Sequence, residues 1–151
     1  MGTEGMQVPD VVVIGAGPAG VLAAIRAADL GARTALLTSA EFGGMAANDG
    51  PVPVRTLAYA ARLMREAHHL ARYGITASEP ELRYDRLLAR VREVVQDVRA
   101  RSALRERIDT LGVRVYEQVG VARFTDSHTI ETECGLRLQA EKFIICTGGV
   151  S

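Results

Sequence analysis

Val12-Val13-Ile14-Gly15-Ala16-Gly17-Pro18-Ala19-Gly20 is the stretch that decides the fold. Asp10 to Ile14 is a short unbroken apolar run that ends in glycines, the pattern of a strand buried on both faces of a parallel sheet. From Pro18 the spacing changes to that of a helix, with Val21, Leu22, Ile25, Ala28 and Leu30 among alanines and Gly31 as its stop. Arg33 to Leu37 is apolar again and forms a second strand. A strand, a helix and a strand in so short a span make a right-handed βαβ crossover.

Between the first strand and the helix lies Gly15-x-Gly17-x-x-Gly20, the spacing required where a helix N-terminus receives a diphosphate. Gly15 makes the tight turn, Gly17 removes the Cβ that would block a pyrophosphate, and Gly20 lets the helix pack closely on the strand. Unpaired N–H groups of the first helical turn then face the anion, where the helix dipole favours negative charge. Pro18 suits that turn because its missing N–H has no partner there. Ala16 and Ala19 complete the segment. These features indicate a dinucleotide site. An acid that would bond the adenosine ribose is absent from the end of the second strand, where Thr38 stands beside Ser39. A hydroxyl can take that bond, more weakly than a carboxylate. Glu41 falls three residues late, and no arginine follows Thr38 to receive a 2′-phosphate.

Outward from this core, Thr38 to Pro53 is rich in glycine, proline and polar residues and reads as a long loop, which compact domains keep when they use it. A helix is expected from Arg55 to Tyr73, ending at Gly74, with Leu57, Ala61, Met64, His68 and Ala71 on one face. After Pro80, apolar residues recur at three and four from Leu87 to Leu111, broken around Arg101 and Ser102, as in one long or two consecutive helices. Beyond Gly112 the period falls to two. Val113–Tyr116, Val119–Phe124, Thr129–Thr132 and Leu136–Ala140 are expected to form a small antiparallel meander with turns at Asp126-Ser127 and Cys134-Gly135. Phe143 to Cys146, ending in Thr147-Gly148-Gly149, reads as a return to the parallel sheet. The fold class is therefore α/β: a Rossmann-like dinucleotide-binding domain, a parallel sheet with crossover helices plus a small antiparallel β-meander. Residues 1–8 form a disordered start and 9–151 one globular domain.

Composition narrows the function classes. The 151 residues carry eighteen basic and eighteen acidic side chains, so no net charge attracts nucleic acid or an anionic membrane. The uncharged run Val11 to Ile25 is short for a membrane span and is broken by Gly15, Gly17, Pro18 and Gly20. Cys134 and Cys146 have neither metal nor disulfide-framework spacing, and a reducing cytoplasm fits them. Adjacent His68 and His69 point about 100° apart on a helix and lack a third ligand, so they suggest no metal; His68 is expected to face a core. The arginines from Arg83 to Arg107 alternate with acids and describe a salt-bridged helix face rather than a nucleic-acid surface. Ser39 and Ser102 have no histidine at an interpretable spacing, so nucleophilic catalysis has no support.

The Val12 to Gly20 segment, Gly43-Gly44, the Gly50 to Leu57 stretch and Thr147-Gly148-Gly149 together resemble the first FAD segment of the pyridine nucleotide-disulfide oxidoreductases, from Pro9 to Ser151. The resemblance implies FAD as cofactor and an NAD(P)H-binding domain, a second FAD segment and a dimerisation domain that this sequence lacks. It implies further contacts to the cofactor from Gly43, Gly44 and the following Met45, from Val121 and Ala122 where relatives meet the adenine, and from Thr147, Gly148 and Gly149. The family's lysine near the flavin corresponds to Val54 or Arg55, of which only Arg55 keeps the charge. The redox cysteines correspond to Ala46 and Pro51, so both sulfurs are missing and thiol–disulfide exchange is excluded as the chemistry of this chain. The expected function is an FAD domain passing electrons from NAD(P)H to a non-dithiol acceptor, without catalytic residues of its own here. A non-catalytic nucleotide-binding module and an NAD-binding Rossmann domain are the alternatives. Apolar surface left by the absent domains favours a homodimer.

Overall fold

The computed structural model describes residues 8–100 and 102–149, and the expected disordered start lies, but for Val8, outside them. The chain divides into two compact units, a sheet unit of residues 1–45 and 102–151 and a helical unit of residues 46–101.

The sheet unit begins with β1 (Val11–Ile14), α1 (Pro18–Asp29) and β2 (Thr34–Leu37), as the apolar spacing predicts. α1 has Pro18 in its first turn and stops at Gly31, whose φ of 88° is left-handed. The N–H groups of Gly31 and Ala32 return to the carbonyls of Ala28 and Ala27, satisfying the last turn. The later elements are α5 (Ala103–Thr110), β3 (Arg114–Tyr116), β4 (Ala122–Asp126), β5 (Thr129–Thr132), β6 (Arg137–Gln139) and β7 (Lys142–Ile145).

Four strands form a parallel sheet in the order β3-β2-β1-β7. Here one expectation is corrected. The segment from Val113 to Tyr116 is not the first strand of the meander; β3 joins the parallel sheet, with Ala35, Leu36 and Leu37 opposite Arg114, Val115 and Tyr116. Three residues are too few for periodicity to separate a parallel edge strand from an antiparallel one. β4, β5 and β6 make the antiparallel meander by themselves, its second turn at Cys134-Gly135. β4 also starts later than expected, because residues 118–120 bond to residues 38–40 instead.

Alternation along the central strands builds two cores. Val12, Ile14, Ala35 and Leu37 meet Val119, Ile130, Leu138 and Ala140 of the meander side. Val13 and Leu36 point to the opposite face, against Val21 and Ala24 of α1 and Ile108 of α5. With both faces covered, β1 and β2 read as continuous apolar runs.

The helical unit holds most of α2 (Gly44–Asn48), all of α3 (Pro51–Ala67), a 3-10 turn (Leu70–Tyr73) and α4 (Tyr84–Ala100). The long loop expected from Thr38 to Pro53 is therefore shorter than its composition suggests. Pro51 and Pro53 lie in the first turn of α3, where N–H groups have no helical partner, and the first bond runs from the Val54 N–H to the Gly50 carbonyl at 3.1 Å. α3 ends at Ala67, and Gly74 with φ 72° closes the 3-10 turn. α3 packs on α4, and Arg99 Nε donates to Asn48 Oδ1 at 2.8 Å. The interruption expected around Arg101 and Ser102 is present, with Ser102 preceding α5; Arg101 lies outside the described residues. His68 does not face a core. It is exposed at the C-cap of α3, a helix none of whose residues is buried, and its Nδ1 lies 3.3 Å from Glu79 Oε2. Among the described residues no helix is long and apolar enough to cross a membrane.

Candidate functional site

All four strands of the central sheet run the same way, so their C-terminal ends share one edge. From that edge leave Gly15–Gly20 after β1, Thr38–Gly44 after β2, Glu117–Val121 after β3 and Cys146–Gly149 after β7. The chain goes from β1 to β2 on one side of β1 and later places β7 on the other. A crevice opens at such a reversal of strand order, outside the carboxyl ends, and is where open α/β sheets receive ligands.

The turn itself is compressed. Gly15 has φ 109°, its N–H donates to the Leu37 carbonyl at 2.7 Å, and a Cβ on it would lie 2.2 Å from the Cys146 carbonyl oxygen. A Cβ on Gly20 would lie 1.7 Å from the Gly15 oxygen. These two glycines are demanded by the fold. Gly17 is different. Its φ of −74° suits any residue, and a Cβ there would meet nothing nearer than the Gly44 Cα at 3.9 Å. The protein itself leaves that space open. Gly17 caps α1 without a side chain, and Pro18 has no N–H, so the Ala19 and Gly20 N–H groups are left with no intrahelical partner. Ala16 is buried under the turn, whereas Pro18 and Ala19 are exposed.

A second glycine pair abuts the first. The Gly43 N–H donates to the Ala16 carbonyl at 3.0 Å, and a Cβ on Gly44, which has φ 59°, would stand 2.6 Å from the Gly17 Cα. Phe42, just before the pair, is buried in the α1 side of the core. Its N–H donates to Glu117 Oε2 at 2.9 Å, and the other carboxylate oxygen pairs with the Arg105 guanidinium, which sits 5.1 Å over the Phe42 ring. The Glu117 hydrogen bond raises the affinity of Arg105 for its proton. None of these three residues is signalled by local spacing, because 75 residues separate Phe42 from Glu117.

Thr38 follows β2 and is buried, its N–H on the Tyr116 carbonyl at 2.9 Å. Ser39 beside it is exposed and accepts at its carbonyl from the Gly120 N–H at 3.3 Å. Gln118, with a φ of 56°, donates to the Ala40 carbonyl at 3.0 Å. The expected Val121–Ala122 segment thus adjoins the Thr38–Ser39 exit. Val121 is exposed, and its N–H donates to Glu133 Oε2 at 2.9 Å. The same carboxylate fills the space beside Gly120, where a Cβ would be 2.5 Å from it. Thr147, Gly148 and Gly149 follow β7 and are exposed.

The sheet unit therefore brings together Gly15–Gly20, Thr38, Ser39, Gly43, Gly44, Val121, Ala122 and Thr147–Gly149, with exposed Met45 following Gly44. Arg55 belongs to the helical unit, exposed near the start of α3. Ala46 lies in α2 and Pro51 begins α3, and neither supplies a sulfur. Cys134 is exposed in the meander turn; a hydrogen bond with the Thr132 hydroxyl at 3.2 Å, helped by the Leu136 backbone, draws its thiol below the usual range. Cys146 is half-buried after β7, and both cysteines are free. Among the described residues no three His, Cys, Asp or Glu side chains gather as metal ligands.

Comparison with known proteins agrees with this geometry. The family model for pyridine nucleotide-disulphide oxidoreductases matches residues 9–151. Dihydrolipoyl dehydrogenase of Zymomonas mobilis is 34% identical over 141 residues, covering 92% of this chain and 30% of its own length. That of Haemophilus influenzae is 40% identical over 121 residues, 80% of this chain and 24% of its own. The HOCl-induced flavoprotein disulfide reductase RclA from Escherichia coli superposes with a TM-score of 0.71 at 26% identity, covering 94% of this chain and 28% of that one. RclA is a flavoprotein, and the chain spans under a third of the length of each of these relatives. A parallel sheet with its glycine turn at the point of reversal, an attached meander and a family match over nearly every residue place the chain in the pyridine nucleotide-disulphide oxidoreductase family.

Proposed function

We propose that this chain is the FAD-binding segment of a flavin-dependent oxidoreductase whose electrons pass from NAD(P)H to an acceptor other than a dithiol of its own. The observation that carries the reading is the space at Gly17. Packing and dihedral angle explain why Gly15 and Gly20 lack side chains, but neither explains Gly17. A ligand backbone approaching closely enough to need that space does. The residues present therefore fit a dinucleotide.

In this reading Gly17, Ala19 and Gly20 present N–H groups to the diphosphate, with Ala16 and Pro18 shaping the turn and Gly43 and Gly44 bounding it. Thr38 and Ser39 serve the adenosine ribose, and the backbone of Val121 and Ala122 serves the adenine. Met45, Thr147, Gly148 and Gly149 lie against the rest of the dinucleotide. When bound, FAD supplies acceptance of a hydride from a reduced nicotinamide, which a domain outside this chain holds. Ala46 and Pro51 leave no sulfur to relay the electrons onward. The protein works in the cytoplasm, as a homodimer.

The test is to titrate the purified chain with FAD while following flavin fluorescence and visible absorbance, then to add NADH without oxygen. FAD is expected to bind, less tightly than in a complete reductase, and to keep its colour with NADH. Failure to bind FAD contradicts the reading, and binding of NAD in its place favours an NAD domain.

A further inference from the structure

We propose that Glu117 is a positioning residue for the Gly15–Gly20 turn, acting through Phe42 and the Gly43-Gly44 pair; the functional part of this rests on the turn being the FAD site. The turn is bounded by Gly44, whose absent Cβ would press to 2.6 Å on the Gly17 Cα. An approach that close fixes the height of Gly17, and with it the space left above the turn for a diphosphate. Gly43 and Gly44 both have positive φ, 106° and 59°, so they are backbone hinges that hold no position by side-chain packing. Something else must hold them.

Two contacts do so. One is the single bond from the Gly43 N–H to the Ala16 carbonyl. The other is Phe42, anchored by its buried ring and by its N–H on Glu117 Oε2 at 2.9 Å. Glu117 leaves the C-terminal end of β3 and is itself held by Arg105 of α5, which also lies over the Phe42 ring. One carboxylate thus ties β3 and α5 to the residue before the hinge. A charged acceptor holds an N–H about twice as firmly as a neutral one. The same Arg105 covers the ring from outside, with its cation 5.1 Å from the ring centre.

The experiment compares the unaltered chain with Glu117→Ala, Glu117→Gln and Arg105→Met by amide hydrogen exchange and by binding of ADP, AMP and FAD. Glu117→Ala is expected to speed exchange at Phe42 and Gly43 while leaving Val12 and Val13 protected. It should weaken ADP by about tenfold and AMP less, because only ADP carries the diphosphate. Glu117→Gln, whose amide oxygen can still accept from Phe42, should recover most of both. Glu117→Ala combined with Arg105→Met should be no weaker than Glu117→Ala alone, since both act through one clamp. A general fall in protection, or equal losses for ADP and AMP, would show that Glu117 only stabilises the fold and would overturn the proposal. So would faster exchange at Phe42 with unchanged ADP affinity. If the unaltered chain binds neither FAD nor ADP, the cofactor reading fails, while the exchange arm still decides whether Glu117 holds the hinge.

Discussion

The sheet unit and the helical unit are built from similar proportions of apolar residues but use them differently. In the sheet unit Val12, Val13, Leu36, Leu37, Ile108 and Ile130 are all almost fully enclosed. In the helical unit Val95 is the one buried residue among those described, and Val54, Tyr59, Leu63, Tyr73, Leu82, Tyr84 and Val98 are exposed. Strand alternation across a sheet covered on both faces creates interior positions. Paired helices cover only the stripe along which they touch. The sheet unit therefore has the core that fixes a binding edge, and the helical unit has secondary structure with little interior of its own.

The largest expected effect lies where the backbone is tightest. Gly20→Ala drives a methyl group to 1.7 Å from the Gly15 carbonyl oxygen. It should cost more than about 3 kcal/mol, seen as loss of the cooperative unfolding transition of the sheet unit. A stable Gly20→Ala variant would mean that the turn has slack. Next in size is the contrast between interiors. Leu36→Ala should cost about 2–5 kcal/mol in denaturant unfolding, whereas Leu63→Ala, at a half-exposed position on α3, should cost less than about 1 kcal/mol. Equal costs would show that the helical unit has an interior after all.

The smallest effect is at the start of the sheet, where Arg33 donates from its backbone and guanidinium to Asp10 and joins the entries of β1 and β2. The side-chain bond from Arg33, followed by its backbone bond, lowers the Asp10 pKa from 3.8 to about 2. A depressed folded-state value stabilises above the unfolded pKa and is lost as pH falls through the folded one, so this contribution fades between about pH 4 and 2. Carboxyl NMR titration should find Asp10 titrating near 2 and returning towards its ordinary value in Arg33→Ala. The pair is exposed, so little of the overall stability should change.

The same contrast explains what could be read from the sequence. β1, α1, β2 and β7 were legible because burial on both faces writes continuous apolar runs and because glycines mark the turns. The meander was legible through its alternation and its turn residues. β3 was misjudged because three residues carry no usable period, and α3 began earlier than expected because prolines that look like breakers serve at a helix start. His68 keeps helical geometry but is exposed because α3 buries none of its residues, which helical spacing alone does not reveal. At the site, Gly15–Gly20 and Thr38 stood out in the chain, and the resemblance brought Gly43, Gly44 and Thr147–Gly149. Phe42, Arg105 and Glu117 did not stand out, since their relation exists only once α5 and β3 have folded back to the loop after β2.

The central claim is that Gly17 lacks a side chain for a ligand's sake while Gly15 and Gly20 lack one for the fold's. FAD titration of Gly17→Ala, with its unfolding curve measured alongside, tests it most directly. The account predicts stability within about 1 kcal/mol of the unaltered chain, because φ is ordinary and the space is open, together with FAD affinity lower by at least about tenfold. A Gly17→Ala chain that binds FAD as well as the unaltered one would contradict it.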